Sequence, residues 1–206
     1  MTVIIDYGVG NLFSLVCSFN KIGVDVTVTS NPKVIRAAKR IILPGVGAFP
    51  DAAKKLFESG LAEILCERAA AGVPIMGICL GMQLLFERSF EYGEHKGLGL
   101  LEGDILPFSK AVRKDLEIPQ IGWNSLNIKD KKCPLFKYIK NGDYVYFVHS
   151  YYAPRDVLSS AATSDYDIEF TAAVAQSNIY GCQFHPEKSG DVGLNILRGF
   201  CELGEA

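Results

Sequence analysis

A doubly wound α/β fold with a mostly parallel central sheet, flavodoxin-like and carrying an antiparallel extension, is what this 206-residue chain predicts. Three observations lead there. Short unbroken runs of branched apolar residues, such as Val3-Ile4-Ile5 and Ile41-Ile42-Leu43, suit strands buried on both faces. Segments with helical spacing alternate with those runs through the first half of the chain. Glycine-rich turns stand where each strand gives way to its helix.

In order, Val3-Ile4-Ile5 forms the first strand and ends in Asp6-Tyr7-Gly8-Val9-Gly10-Asn11. Residues 12–22 then have helical spacing, with Asn11 as the N-cap. The loop carries two of the three glycines of a dinucleotide fingerprint, but Phe13 replaces the third, which disfavours a nucleotide site. Residues 25–29 alternate and are β-branched, a second strand. Pro32 opens a short helix to residue 38, and residues 40–43 make the third strand. Pro44-Gly45-Val46-Gly47-Ala48-Phe49-Pro50 reads as a loop poor in side chains. Helices are expected from Pro50 onward and over 61–70. Val73-Pro74-Ile75-Met76 then leads into a strand, a tight turn at Cys79 and another helix. From Gly97 the texture changes to short strands over 98–108, 118–128, 144–152, 158–163, 170–176 and 179–184. Helical pattern returns only at 134–138 and in a last helix over 191–203. All of it is expected to form one domain, 1–206.

The near-neutral balance, a formal net charge of −2, gives no footprint for nucleic acid or an anionic membrane surface. Six cysteines without a Cys-x-x-Cys pair suit reduced thiols, so neither a disulfide framework nor a metal site is expected. No cofactor is called for. The start of the chain enters a strand directly, without a basic region before an apolar run, and no apolar run approaches ~20 residues. A cytoplasmic location is expected.

Chemistry concentrates in two stretches. Gly77-Ile78-Cys79-Leu80-Gly81 is a Gly-x-Cys-x-Gly counterpart of the Gly-x-Ser-x-Gly nucleophile elbow. Its glycines allow the strained backbone that holds a nucleophile clear of the sheet, and the start of a helix favours thiolate. A small buried hydrophobe is the alternative reading of Cys79. Far downstream, Gln183-Phe184-His185-Pro186-Glu187 ends an apolar run. Pro186 keeps His185 out of the α region, and residues two apart in an extended segment project to one side. His185 and Glu187 can therefore face one target, a base with its orienting carboxylate. His95, in a polar stretch, and His149, in an aromatic strand, are poorer candidates. The backbone N–H groups of the 44–50 loop, at the same sheet edge as Cys79, suit an oxyanion.

Gly77-Ile78-Cys79-Leu80-Gly81-Met82-Gln83 with His185-Pro186-Glu187 resembles the class I (triad) glutamine amidotransferases. The resemblance extends from the first strand to the last helix. It includes Ile5-Asp6-Tyr7-Gly8-Val9-Gly10-Asn11-Leu12, Leu43-Pro44-Gly45-Val46-Gly47-Ala48-Phe49, Ile121-Gly122-Trp123-Asn124, Phe147-Val148-His149-Ser150-Tyr151 and His185-Pro186-Glu187-Lys188-Ser189-Gly190. Those motifs look like the branch that feeds ammonia to a (β/α)8-barrel cyclase subunit (HisF), as a heterodimer, in histidine biosynthesis. One departure is Pro119-Gln120, where His-Met would be expected.

The resemblance implies a glutaminase with Cys79 as nucleophile, His185 as base and acid, and Glu187 orienting His185. It implies an oxyanion hole from Val46 and Leu80. Glutamine would be held by Gly47, Gln83, Glu91, Ser150 and Tyr151, and the partner met by Asn11, Trp123, Tyr146 and Lys188. The neighbouring readings are a glutaminase subunit of another synthase, of the anthranilate or pyridoxal-phosphate type, or one serving a paralogous pathway. A cysteine peptidase is a further rival.

Overall fold

A computed structural model describes residues 1–203. β1 (Thr2–Ile5) leads through α1 (Leu12–Lys21) to β2 (Val26–Thr29), and α2 (Pro32–Arg36) to β3 (Arg40–Gly45). Two helices, α3 (Phe49–Glu58) and α4 (Leu61–Ala70), precede β4 (Ile75–Cys79) and the short α5 (Leu80–Leu84). The second half is strand-rich: β5 (Phe86–Ser89), β6 (His95–Lys96), β7 (Leu101–Pro107), β8 (Gln120–Ser125), β9 (Asn127–Ile128) and β10 (Tyr144–His149). It continues with β11 (Tyr151–Pro154), β12 (Ser160–Tyr166), β13 (Ile168–Gln176) and β14 (Ile179–Cys182), and closes on α6 (Gly190–Cys201).

The apolar runs become central strands because alternate side chains feed two separate cores. Val3 and Ile5 of β1 face one core and Ile4 the other; Ile41 and Leu43 of β3 oppose Ile42 in the same way. Leu15 and Phe19 of α1 and Ile196, Leu197 and Phe200 of α6 cover one face. Ile35, Leu56, Leu61 and Leu65, from α2, α3 and α4, cover the other. Helices on both faces leave the chemistry to the strand ends.

The main sheet runs β2-β1-β3-β4-β14 in parallel, continues antiparallel through β13 and β11 to β7, and then adds β5 parallel to β7 and β6 antiparallel to β5. β12 and β9 extend it beside β13, while β8 and β10 pair separately as an antiparallel ribbon. Within the parallel part Gly45 lies opposite Cys79, and Cys182 opposite Ile78. Three distant segments therefore end at one edge. No helix among the described residues is long and apolar enough to cross a membrane.

Several boundaries differ from the sequence expectation. Pro44 and Gly45 continue β3 and Phe49 begins α3, so the loop shrinks to residues 46–48. Proline is tolerated at 44 because β1 pairs with β3 only as far as Ile42, and at Pro50 because the first helical turn lacks partners anyway. The helix after Cys79 stops at Leu84, and Phe86–Ser89 pairs in parallel with β7. Gly97 permits this pairing, since a Cβ there would run into the Phe86 carbonyl. The 144–152 stretch divides at Ser150, with β10 pairing to β8 and β11 to β7 and β13.

Candidate active site

β4 delivers Cys79 to the carboxyl edge, where its backbone turns sharply, with φ 54° and ψ −112°. A left-handed φ is rare for a residue with a Cβ and persists where the surroundings over-determine it. Two glycines supply that constraint. A Cβ on Gly77 would sit 2.6 Å from the Met82 Cα, and one on Gly81 would run into the Leu43 carbonyl of β3. The reason for these glycines is thus close docking of α5 onto two strands, rather than the cysteine's own backbone.

β14 lies beside β4 and carries the chain to His185, whose extended backbone (φ −97°, ψ 100°) precedes a short turn opened by Pro186. His185 Nδ1 lies 2.8 Å from Glu187 Oε1, and both side chains are at most 3% exposed. Burial pulls the His185 pKa down, but hydrogen bonds to Cys79 and Glu187 outweigh it and push the value up to about 10. Ser189 secures this segment: its hydroxyl donates to the His185 carbonyl at 2.7 Å and accepts the Tyr146 N–H at 2.9 Å.

Cys79 and His185 share a cleft of about 400 Å³ with Val46, Gly47, Leu80, Gln83, Glu91, Ser150, Tyr151 and Lys188. All the residues expected around the reacting atoms and the glutamine therefore meet in one place. Glu91 is buried rather than a solvated loop residue, and its Oε2 accepts the Phe49 N–H at 2.7 Å, at the start of α3. Burial raises its pKa, partly offset by that hydrogen bond and by His95. Tyr7, in the glycine loop after β1, donates to the Pro44 carbonyl at 2.7 Å. That loop braces the cleft's rim.

His149 also lines the cleft, packed among the rings of Phe108, Phe147 and Phe170. Its Nδ1 lies 2.8 Å from the Tyr151 carbonyl, and burial, reinforced by the charge of His185, lowers its pKa to about 4. Gln183 was not singled out by the sequence reading. It is fully buried, and its Nε2 lies 3.7 Å from Cys79 Sγ. Its signal is its place two residues before His185 in the extended run that ends there. Glu187 reaches His185 from a tight turn over Pro186–Lys188, where the sequence predicts a continued extended segment. Among the described residues no group of three or more His, Cys, Asp or Glu side chains could hold a metal ion.

The glutamine amidotransferase class-I family profile matches residues 3–202. This chain belongs to the class I glutamine amidotransferases. The imidazole glycerol phosphate synthase subunit HisH of Wolinella succinogenes is 47% identical over 209 residues, covering 99% of this chain and all of that protein. The HisH of Caldanaerobacter subterraneus subsp. tengcongensis is 48% identical, covering 98% of each chain. A solved glutamine amidotransferase shares the fold, with a TM-score of 0.77, 18% identity and 99% coverage of both chains.

Around the mouth of this amidotransferase cleft, Trp123 of β8 is 56% exposed and meets the Tyr146 ring edge-on, 6.1 Å between centroids. The Lys188 ammonium stands 5.7 Å over the same Tyr146 ring. These three expected partner contacts form one cluster. Asn11 caps α1 by accepting the Ser14 N–H at 3.4 Å, and so has a local structural task as well. At the departure from the family pattern, Pro119 lines the cleft and Gln120 is buried.

Proposed function

We propose that this amidotransferase hydrolyses glutamine with a Cys79-His185-Glu187 triad and serves as the glutaminase (HisH) subunit of imidazole glycerol phosphate synthase. The observation that carries the reading is the buried His185–Glu187 pair, 2.8 Å apart, beside a cysteine on a left-handed turn. Identity of 47–48% over nearly the whole chain to proteins of that name supports the choice of synthase.

His185 already holds the proton, and Cys79 Sγ attacks the side-chain carbonyl carbon of glutamine as the thiolate paired with it. The oxyanion is held by the N–H of Leu80 and the N–H of Val46. As the C–N bond breaks, His185 returns the proton to the departing nitrogen and ammonia leaves, with the γ-glutamyl group on sulfur. Water, deprotonated by His185, attacks that thioester, and glutamate departs with the thiol restored. Glu187 holds the imidazole by Nδ1, which directs Nε2 at the chemistry and stabilises the charged form. Glu91 offers one carboxylate oxygen to the substrate's α-ammonium while the other accepts the Phe49 N–H. Gly47, Gln83, Ser150 and Tyr151 shape the remainder of the glutamine site.

Losing one oxyanion donor typically costs on the order of 10²–10³ in rate, so the aim of Val46 acts as a switch. Val46 is 42% exposed, and a Cβ on the adjacent Gly47 would meet nothing within 4 Å, which leaves the loop room to turn. The subunit alone is therefore nearly silent. Ammonia is lost as ammonium in open water, which requires a partner over the cleft. That partner is the (β/α)8-barrel cyclase subunit (HisF), docked as a heterodimer on Asn11, Trp123, Tyr146 and Lys188. It makes imidazole glycerol phosphate and aminoimidazole carboxamide ribotide. We read the chain as one amidotransferase domain, 1–206, acting in the cytoplasm.

Glutamate release, measured with and without the cyclase subunit, tests the reading. Stimulated turnover in the complex is expected, and Cys79→Ala should abolish it while the complex still forms. Strong turnover by the chain alone would contradict the switch, and wild-type turnover by Cys79→Ala would remove Cys79 from the mechanism.

A further inference from the structure

We infer that Gln183 is a further catalytic residue, whose buried carboxamide donates an N–H to the Cys79 sulfur and locks Gln83 as a hydrogen-bond acceptor toward the substrate. The inference deepens the glutaminase reading and, in its second half, rests on it. The polarity of the chain of bonds follows from one backbone atom. The Tyr151 carbonyl can only accept, and Gln83 Nε2 donates to it at 3.0 Å. The same nitrogen donates its second proton to Gln183 Oε1 at 2.9 Å. With its oxygen engaged there, Gln183 turns its nitrogen to Cys79 Sγ, 3.7 Å away. A flipped Gln83 would set its carbonyl oxygen against the Tyr151 carbonyl, two acceptors with no proton between them, and His149 Nδ1 lies 2.8 Å from the same oxygen on another side.

Two consequences follow for the chemistry. An N–H aimed at sulfur is worth more to a thiolate than to a thiol, because bonds to charged acceptors are the stronger ones. Gln183 is fully buried, so water does not compete for it. Both protons of Gln83 are committed, so what Gln83 has left for the cleft is its carbonyl oxygen. An acceptor fixed there favours a carboxamide N–H of glutamine and disfavours the carboxylate of glutamate, the product. The other titratable groups facing Cys79 are His185, Tyr7 and Cys182, with Glu187 and His149 around His185. None of them is altered by a change at Gln183.

The test is the pH dependence of iodoacetamide alkylation at Cys79, read by peptide mass spectrometry, in wild type, Gln183→Met and Gln183→Glu. Methionine keeps the volume and removes both bonds. Glutamate keeps an acceptor for Gln83 but has no N–H for sulfur. In both variants the alkylation midpoint should rise by about one pH unit. In the complex with the cyclase subunit, turnover should fall about ten-fold in both, with KM raised in Gln183→Met alone. An unchanged midpoint in Gln183→Met overturns the donor to sulfur, and an unchanged KM there overturns the lock on Gln83. A shifted midpoint in Gln183→Met, with a wild-type complex that never hydrolyses glutamine, would instead overturn the glutaminase reading and leave the sulfur contact standing. If neither variant folds, the ¹⁵N side-chain amide signals decide: Cys79→Ala should displace one buried glutamine pair, and an unmoved spectrum overturns the contact.

Discussion

Two buried imidazoles in one cleft are displaced in opposite directions, which gives stability a pH dependence with two limbs. His185 keeps its proton to about pH 10 in the folded chain against an ordinary value of 6.5. Its contribution is complete below 6.5 and lost as pH rises toward 10. His149 is held down to about 4, so the unfolded chain binds a proton that the folded chain refuses between 6.5 and 4. Stability falls there as pH falls. The melting temperature should therefore peak near pH 6.5. His149→Phe should flatten the acid limb and His185→Gln the alkaline one. Variants that keep both limbs would show that other groups set the profile. The two histidines also differ in what the sequence could say. His185 stands beside proline and glutamate, whereas His149 reveals its cleft-lining position only once β10 is tied to the segment that carries His185.

At the level of elements, the elbow depends on how closely α5 approaches β3. Gly81→Ala would drive a methyl group into the Leu43 carbonyl, backbone against backbone, where neither side can turn away. Overpacking of that kind costs about 1–3 kcal/mol, and urea denaturation of Gly81→Ala should read the upper part of that range. Gly47→Ala makes the contrast. With φ +90° and nothing within 4 Å of the added Cβ, it should cost about 1–2 kcal/mol of backbone strain alone. Equal losses in the two variants would argue against close docking as the role of Gly81. The sequence shows a helix after Cys79 but not the strand that follows it, because Leu84-Leu85-Phe86 continues the helix's apolar run. Such a run fits a buried helix as well as a strand, and the partner strand, β7, decides.

For the whole molecule, the cleft and the exposed aromatic pair are joined at Lys188, which lines the one and stands over the Tyr146 ring of the other. Tyr146 is in turn tied by its N–H to Ser189 and by its carbonyl to the His185 N–H at 2.9 Å. A partner seated on Trp123 and Tyr146 would press on the segment that carries the base. Lys188→Ala should therefore weaken partner-stimulated turnover several-fold while leaving the melting temperature nearly unchanged. Parallel losses of stability and stimulation would reduce Lys188 to a structural residue.

The sequence by itself determined the chemistry-bearing residue types, the glycines that permit the elbow, and the strand–helix alternation, because each is a local property of a few neighbouring residues. It also carried the family, through motifs spread along the chain in a fixed order. Only the tertiary structure decided what converges. Gly45, Cys79 and Cys182 end side by side because three parallel strands share a register. Glu91 became buried when α3 met it, and Gln183 reached the nucleophile across 104 positions of chain. Contacts of that separation depend on how the sheet is ordered, and strand order is written in no single stretch.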